Sequence, residues 1–306
     1  MRNTVVNELE CLAEADNRIS VITADLGYSV FESFAEHFPS RFFNVGISEQ
    51  LMSSAAAGMA LCGNIVFTYS IGNFATLRCM EQIRNDICYH NANVKIIAVG
   101  GGMSYGQLGM SHHATEDISM MRSLPNMRVL TPADPEEALA AIRYAVQTQG
   151  PCYIRLARRS EPVLYLKADL FDVSKVQHVR SGKDAALFLC GPLLKEGIEA
   201  SRLLEAVNIS ASVYSVPCIK PLDTETIIEI ATGYPLLITV EEHVISGGMG
   251  GAIAEVLSCI KGSHAILLRL GLQDVYPSVV GDHDYLCDYY GLSGQKIADS
   301  VMKALG

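Results

Sequence analysis

Short apolar runs alternate with helix-periodic stretches along almost the whole chain, and that alternation constrains the fold most. The runs cover residues 18–23, 42–45, 65–69, 94–99, 127–130 and 151–156. Between them, residues 48–61, 74–89 and 135–147 carry helical spacing, with Ser48 placed as an N-cap. The rhythm restarts with runs at 185–189, 211–216, 236–240 and 265–270. Helices are expected between them over 195–206, 224–231 and 250–260, and at the end over 292–305. Buried strands that each lead into a helix build parallel sheets, because parallel neighbours need a long crossover. The spacing predicts an α/β chain of two consecutive doubly wound, largely parallel sheets. Residues 1–165 form the first domain and 184–306 the second, with a polar linker over 166–183.

Charge argues against two kinds of partner. Lys and Arg total 23 against 33 Asp and Glu, a formal net charge of -10. With no Lys/Arg-rich run, nucleic acid and anionic membrane are not expected partners, since both need positive charge. No apolar run reaches the ~18–20 residues of a membrane span. Met1 to Thr4 leads straight into helical periodicity, without a signal peptide's apolar stretch. Nine cysteines form no C-x-x-C pair and lie mostly in apolar stretches, which fits buried thiols in a reducing cytoplasm. The eight histidines show no zinc-ligand spacing, so no protein-ligated metal is expected. A mean hydropathy of +0.23 points to apolar surface buried between subunits.

In such sheets ligands bind beyond the carboxyl ends of strands. That directs attention to Asp25, the 46–49 turn, residues 71–74, the 100–117 loop and residues 157–159. Glu49 opens an otherwise apolar helix. An acid there complements the helix dipole, yet a carboxylate held away from water can also share a proton with a ligand. His112 and His113 lie in a long, polar, Gly-rich loop of a kind uncommon unless functional; two solvated histidines are the alternative. Phe74 at a helix start is more often core than cofactor platform. Arg158 and Arg159 are either exposed charges or an anion site. Glu241-Glu242-His243 leads into a glycine-rich turn over 247–251, where backbone amides approach a ligand or an interface. Gly100-Gly101-Gly102 lacks the spacing of a nucleotide fingerprint.

The order and spacing of four stretches decide more than any one of them. They are 44–50, 109–117, 121–127 with Thr131-Pro132-Ala133-Asp134 after it, and 240–243 with its glycines. On these, residues 18–160 resemble the pyrimidine-binding domain of transketolase-type thiamine diphosphate enzymes, and residues 184–306 are similar to the C-terminal domain of the same family. The resemblance implies transfer of a two-carbon ketol unit from a ketose donor to an aldose acceptor, carried on thiamine diphosphate as an enamine. It also implies roles. Glu49 matches the glutamate that bonds N1′ of the aminopyrimidine, with Ile47 in the same cofactor-binding turn. Phe74 matches the aromatic that stacks on that ring, and Asp25 an acid near the cofactor. His112 matches a histidine that bonds the substrate oxygen and assists proton transfer. Ser29 and Arg158 match phosphate contacts.

Two departures from the family pattern are informative. The Gly-Asp-Gly…Asn segment that holds Mg²⁺ and the diphosphate is missing, since Gly281-Asp282 is followed by His283 and lies too near the end of the chain. The chain therefore resembles the second half of a transketolase encoded as a separate subunit. An N-terminal partner subunit would hold Mg²⁺ and the diphosphate, within an α2β2 heterotetramer. At the substrate end, the sugar-reading aspartate falls on Leu108 and a phosphate-binding histidine on Gly100, while Leu77 replaces a second platform aromatic. Losing a hydroxyl's buried partner changes selectivity strongly. The expected small molecule is a sugar phosphate or a modified, branched or deoxy sugar, or another α-keto donor. The β subunit of a 2-oxo acid dehydrogenase E1, or another acyloin-forming thiamine diphosphate enzyme, is the enzymatic alternative. A non-catalytic scaffold that kept the fold is the other.

Overall fold

Among the described residues, twelve strands divide between two sheets. In chain order they are β1 (Ile19–Thr23), β2 (Phe42–Asn44), β3 (Ile65–Ile71), β4 (Val94–Val99), β5 (Arg128–Leu130), β6 (Cys152–Leu156), β7 (Gln177–Arg180), β8 (Ala185–Leu189), β9 (Ala211–Ser215), β10 (Cys218–Lys220), β11 (Leu236–Val244) and β12 (Ile266–Leu272). The computed structural model describes residues 1–158, 161–165, 167–168 and 172–306. Arg159, Ser160 and residues 166 and 169–171 of the expected linker lie outside the described residues. The first sheet has the order β10-β5-β6-β4-β3-β1-β2 and the second β12-β11-β8-β9-β7. Every pairing is parallel except at one edge of each sheet, where β10 runs against β5 and β7 against β9. Two strands were not expected. β7 falls inside the linker span, and β10 returns from the second half of the chain to close the first sheet. Among the described residues no helix is long and apolar enough to cross a membrane.

Packing follows the binary pattern. On one face of the first sheet, Val5 and Leu9 of the Arg2–Ala15 helix and Ala138 and Ile142 of the Pro135–Gln147 helix cover Phe67, Ile97 and Ile154. On the other face, Met52 and Ala56 of the Glu49–Leu61 helix meet Ile22, Val66 and Ile96. That second layer does not stop at the linker. It continues through Met121 to Phe188, Met249 and Ile253, so the two sheets share one apolar layer. All nine cysteines are free, and six of them are buried.

Local chemistry explains where the helical spacing reads true and where it breaks. The Pro135–Gln147 helix starts as expected: the Asp134 side chain accepts from the Glu137 N–H at 2.8 Å and Pro135 sits at its first turn. Ser48 holds the N-cap position of Glu49–Leu61, but its side chain makes no capping bond. The single helix expected over 74–89 is instead a series. It runs Gly72–Thr76 (α), Leu77–Cys79 (3-10), Met80–Gln82 (α) and Ile83–Cys88 (π). Thr76 Oγ1 donates to the Gly72 carbonyl at 2.7 Å and Cys79 Sγ to the Phe74 carbonyl at 3.3 Å, so side chains compete for acceptors the helical ladder would use.

A polar seam joins the sheets beneath the apolar layer. Arg155 of β6, 4% exposed, donates to Asp117 Oδ2 at 2.7 Å and to the carbonyls of Ala114 and Glu242 at 2.9 Å each. Tyr153 adds a hydroxyl to the same Asp117 oxygen at 2.5 Å. Glu242 of β11 accepts from the Met103 N–H and pairs with His283 Nε2 at 3.0 Å. The glycine turn over 247–251 is filled by the chain itself: the Met249 and Gly250 N–H groups donate to the Glu241 carboxylate at 2.6 and 3.0 Å. Burial pushes Glu241 up to about 7. The Glu242 carboxylate pushes His283 up to about 11 against the cost of burial. Burial works against the charge on Glu242, but His283, Arg155 and the Met103 N–H together outweigh it and hold that pKa below its usual value.

The pH dependence of stability follows from these shifts. A raised His283 pKa contributes fully below its unfolded value of 6.5 and is lost as pH climbs toward 11. The depressed Glu242 contributes above its unfolded value of 4.5 and is lost on acidification. His283→Gln is therefore expected to lower the urea midpoint most near about pH 6, with the gap to wild type narrowing steadily toward about pH 10. Unfolding curves across that range check it, and a gap independent of pH would exclude the charged pair.

Candidate functional site

Five neighbouring strands, β6-β4-β3-β1-β2, run parallel and so end on one edge of the first sheet. The five segments singled out in the sequence leave from those ends. At the β1 and β2 ends, the Asn44 side chain accepts from the N–H groups of Asp25 and Gly46, both at 3.0 Å. Asp25 has φ 54 and accepts a hydrogen bond from the Tyr28 hydroxyl at 2.7 Å. Ser29, exposed and at φ 58, donates its N–H to Glu32 at 2.6 Å. Ile47 is 78% exposed.

From the ends of β2, β3, β4 and β6 the structure assembles a row of side chains. Glu49, 3% exposed, accepts from Arg78 NH1 at 3.0 Å on Oε2, and among the described residues no hydrogen bond reaches Oε1. The Arg78 guanidinium lies 4.5 Å from the Phe74 ring centroid. Phe74 and His112 have ring centroids 5.3 Å apart, tilted by 58°. His112 and Tyr105 follow at 6.1 Å, and the Arg158 guanidinium stands 4.7 Å from the Tyr105 centroid. No hydrogen bond, ion pair or ring contact among the described residues joins Ser29 or Ile47 to this row, and Leu77 is 46% exposed. Neither histidine is simply solvated. His112 is half-buried with Nδ1 3.0 Å from Ser111 Oγ, while His113 is 2% exposed. Burial lowers the His113 pKa, which keeps that ring neutral.

The loop that carries His112 is fastened to the rest of the chain at both shoulders. Gly102 and Ala114 bridge each other, and Asn73 donates to the Ser111 carbonyl at 2.7 Å. The Val244 N–H donates to the Thr115 carbonyl at 2.9 Å, so the second sheet holds the loop as well. Gly102 has no room for a side chain, because a Cβ there would lie 2.4 Å from the Glu242 carboxyl carbon.

Arg78 and Tyr105 are members of the row that sequence reasoning did not single out. Arg78 stands four residues after Phe74, a helical spacing that brings side chains together. Tyr105 fills the space over Gly100: a Cβ on Gly100, which has φ +82, would lie 2.0 Å from Tyr105 Cε2. The glycine read as a lost cation is thus the seat of an aromatic ring.

This edge offers a buried carboxylate with one oxygen unclaimed, a half-buried aromatic ring and an exposed apolar side chain in the turn between β2 and its helix. That donor set suits a flat, partly basic heteroaromatic ring such as an aminopyrimidine. Among the described residues no three His, Cys, Asp or Glu side chains cluster as a metal ion would need.

The chain resembles known proteins over almost its whole length. Residues 1–162 match the family of the transketolase pyrimidine binding domain, and residues 174–297 that of the transketolase C-terminal domain. The chain is 34% identical to one subunit of the apulose-4-phosphate transketolase of Actinobacillus succinogenes, over 93% of this chain and 91% of that protein. It is 33% identical to the SqwH subunit of a 6-deoxy-6-sulfo-D-fructose transketolase of Clostridium sp., over 97% and 92%. A solved split-gene transketolase, described as an inactive β4 tetramer, superposes with a TM-score of 0.89 at 37% identity, covering 99% of this chain and 97% of that one.

If the Tyr105 ring depends on the glycine beneath it, Gly100→Ala should cost roughly 2 kcal/mol through overpacking. Tyr105→Ala in the same chain relieves the clash, so the double variant should be less perturbed than the sum of the singles. Urea midpoints of the three variants measure this, and strict additivity would show the two positions to be independent.

Proposed function

Since the chain belongs to the transketolase family, as the separately encoded C-terminal subunit of a split enzyme, we propose that it catalyses two-carbon ketol transfer between a ketose donor and an aldose acceptor with thiamine diphosphate. In this reading residues 1–165 supply the cofactor's pyrimidine site and residues 184–306 hold it in place across the linker. The partner subunit supplies the diphosphate and Mg²⁺ site, whose Gly-Asp-Gly…Asn segment this sequence lacks, and two copies of each build the α2β2 enzyme. Nine free thiols fit a cytoplasmic setting.

One observation carries the reading: Glu49, Phe74 and His112, from the ends of β2, β3 and β4, come together along one edge of the first sheet, with the two rings 5.3 Å apart. Thiamine diphosphate, when bound, supplies a carbon acid that stores the carbanion left by ketose cleavage. Glu49 shares a proton with the pyrimidine ring nitrogen and sets its tautomer. Arg78 fixes the orientation of that carboxylate through Oε2, leaving Oε1 for the ring. Phe74 stacks against the pyrimidine, and Ile47 and Asp25 close the cofactor turn. His112, aligned by Ser111, hydrogen-bonds the carbonyl oxygen of donor and acceptor and moves its proton. Arg158 and Ser29 take the anionic end of the substrate.

Glu49→Gln is expected to cost at least ~10²-fold in turnover, within the range of lost acid–base assistance. NMR-followed exchange of the cofactor C2 proton in the assembled complex reports that step, and an unchanged rate would remove Glu49 from it. The isolated chain is expected to bind thiamine diphosphate poorly and to be inactive. Calorimetry with cofactor and Mg²⁺ tests this; tight binding, on the order of micromolar, without a partner would sink the split-site reading.

A further inference from the structure

We propose that Tyr105 is a specificity-determining residue, reading the hydroxylated segment of a substrate that has its carbonyl at His112 and a tetrahedral oxyanion at Arg158. The proposal rests on the reading of the site given above and adds to it the group that recognises the middle of the substrate.

Two positions that could read a hydroxyl carry no polar group. Leu108 cannot accept or donate a hydrogen bond, and it is 52% exposed. Gly100 cannot be replaced by a larger residue while the Tyr105 ring stands 2.0 Å from its Cβ position. The space between His112 and Arg158 therefore belongs to Tyr105, whose ring centroid is 6.1 Å from the one ring and 4.7 Å from the other's guanidinium carbon. A substrate that touches both ends of this row lies along the tyrosine. The ring is half-buried, and among the described residues no hydrogen bond reaches its hydroxyl. Burial raises the phenol pKa, with Arg158 and Arg2 pulling the other way, so the group is a neutral hydroxyl able to donate and accept.

Its neighbours hold it still. Ser104 Oγ donates to the Gly101 carbonyl at 2.8 Å. Gly106 packs so closely on the second domain that a Cβ would lie 2.5 Å from the Gly281 carbonyl oxygen. A polar group fixed on both sides discriminates well, because a substrate that fails to pair with it leaves it desolvated and unpaired.

The test uses the assembled complex with thiamine diphosphate and Mg²⁺, and two unreactive probes measured by calorimetry. Erythritol 4-phosphate carries interior hydroxyls; butane-1,4-diol monophosphate has none. Tyr105→Phe keeps the ring and removes the hydroxyl. It is expected to weaken erythritol 4-phosphate at least ~10-fold while changing the butanediol phosphate less than ~2-fold. Arg158→Leu should weaken both probes alike, and 4-hydroxybutane-1-sulfonate in place of the butanediol phosphate separates a sulfonate from a phosphate at that end. With erythrose 4-phosphate as acceptor, Tyr105→Phe should raise KM and leave kcat nearly unchanged. Equal weakening of both phosphates, no weakening of either, or no binding by the wild type would overturn the role of Tyr105. Loss of cofactor C2 proton exchange in the wild-type complex would instead defeat the reading of the site itself, so the two failures can be told apart.

Discussion

A buried guanidinium is the interaction on which the rest of the structure leans. Arg155 has lost its water, and an unpaired charge in that position would cost several kcal/mol. Its hydrogen bonds go to Asp117, to the Ala114 carbonyl and to the Glu242 carbonyl. Those three acceptors belong to the helix after the site loop, the shoulder of the loop itself and the second sheet. Satisfying one charge therefore fixes three segments at once, and the loop that carries His112 inherits its position from them. The short contacts at Gly102 and Gly106 belong to the same constraint, since closer packing of the loop on the second domain is possible only where no side chain intervenes.

The row from Glu49 to Arg158 lies along an edge that is only partly covered. Ile47, Leu51, Leu108 and Met110 are all more than half exposed or close to it, and they lie in the segments that carry Glu49 and His112. Apolar side chains grouped in this way mark a surface that another surface completes. On the proposed reading, a carboxylate that shares a proton depends on excluding water, and a site split between subunits would gain its low dielectric only on assembly.

Most of the architecture is legible in the sequence because the strands are short, apolar and buried on both faces, which is what a parallel sheet requires. Residues 94–99 show this well: even Lys95 is fully buried, its ammonium spent on the Thr148 and Gly150 carbonyls. The edge strands β7 and β10 were not legible, since a three- or four-residue strand with one free side has no apolar pattern to show. The broken helix over 72–88 was hidden for another reason. Its hydrophobic spacing is helical, and the break depends on Thr76 and Cys79 side chains choosing backbone acceptors. Glu49, Phe74 and His112 could be singled out from their strand-end positions and the family resemblance; Arg78 and Tyr105 become visible only when the Glu49 carboxylate and the empty side of Gly100 are seen in space. The Glu241 turn misled for the same reason, because the anion it cradles is its own.

The return of β10 to the first sheet bears on how the chain is made. A ribosome releases β1 to β6 well before β10, with β7, β8 and β9 in between. Until Cys218 emerges to meet Leu130, strand β5 stands as a raw edge with unpaired amides and carbonyls. At the usual pace of synthesis, about 5–20 residues per second, that edge stays open for seconds, and the apolar layer shared with the second sheet stays uncovered with it. Translation therefore leaves that edge and that apolar layer open together until β10 arrives.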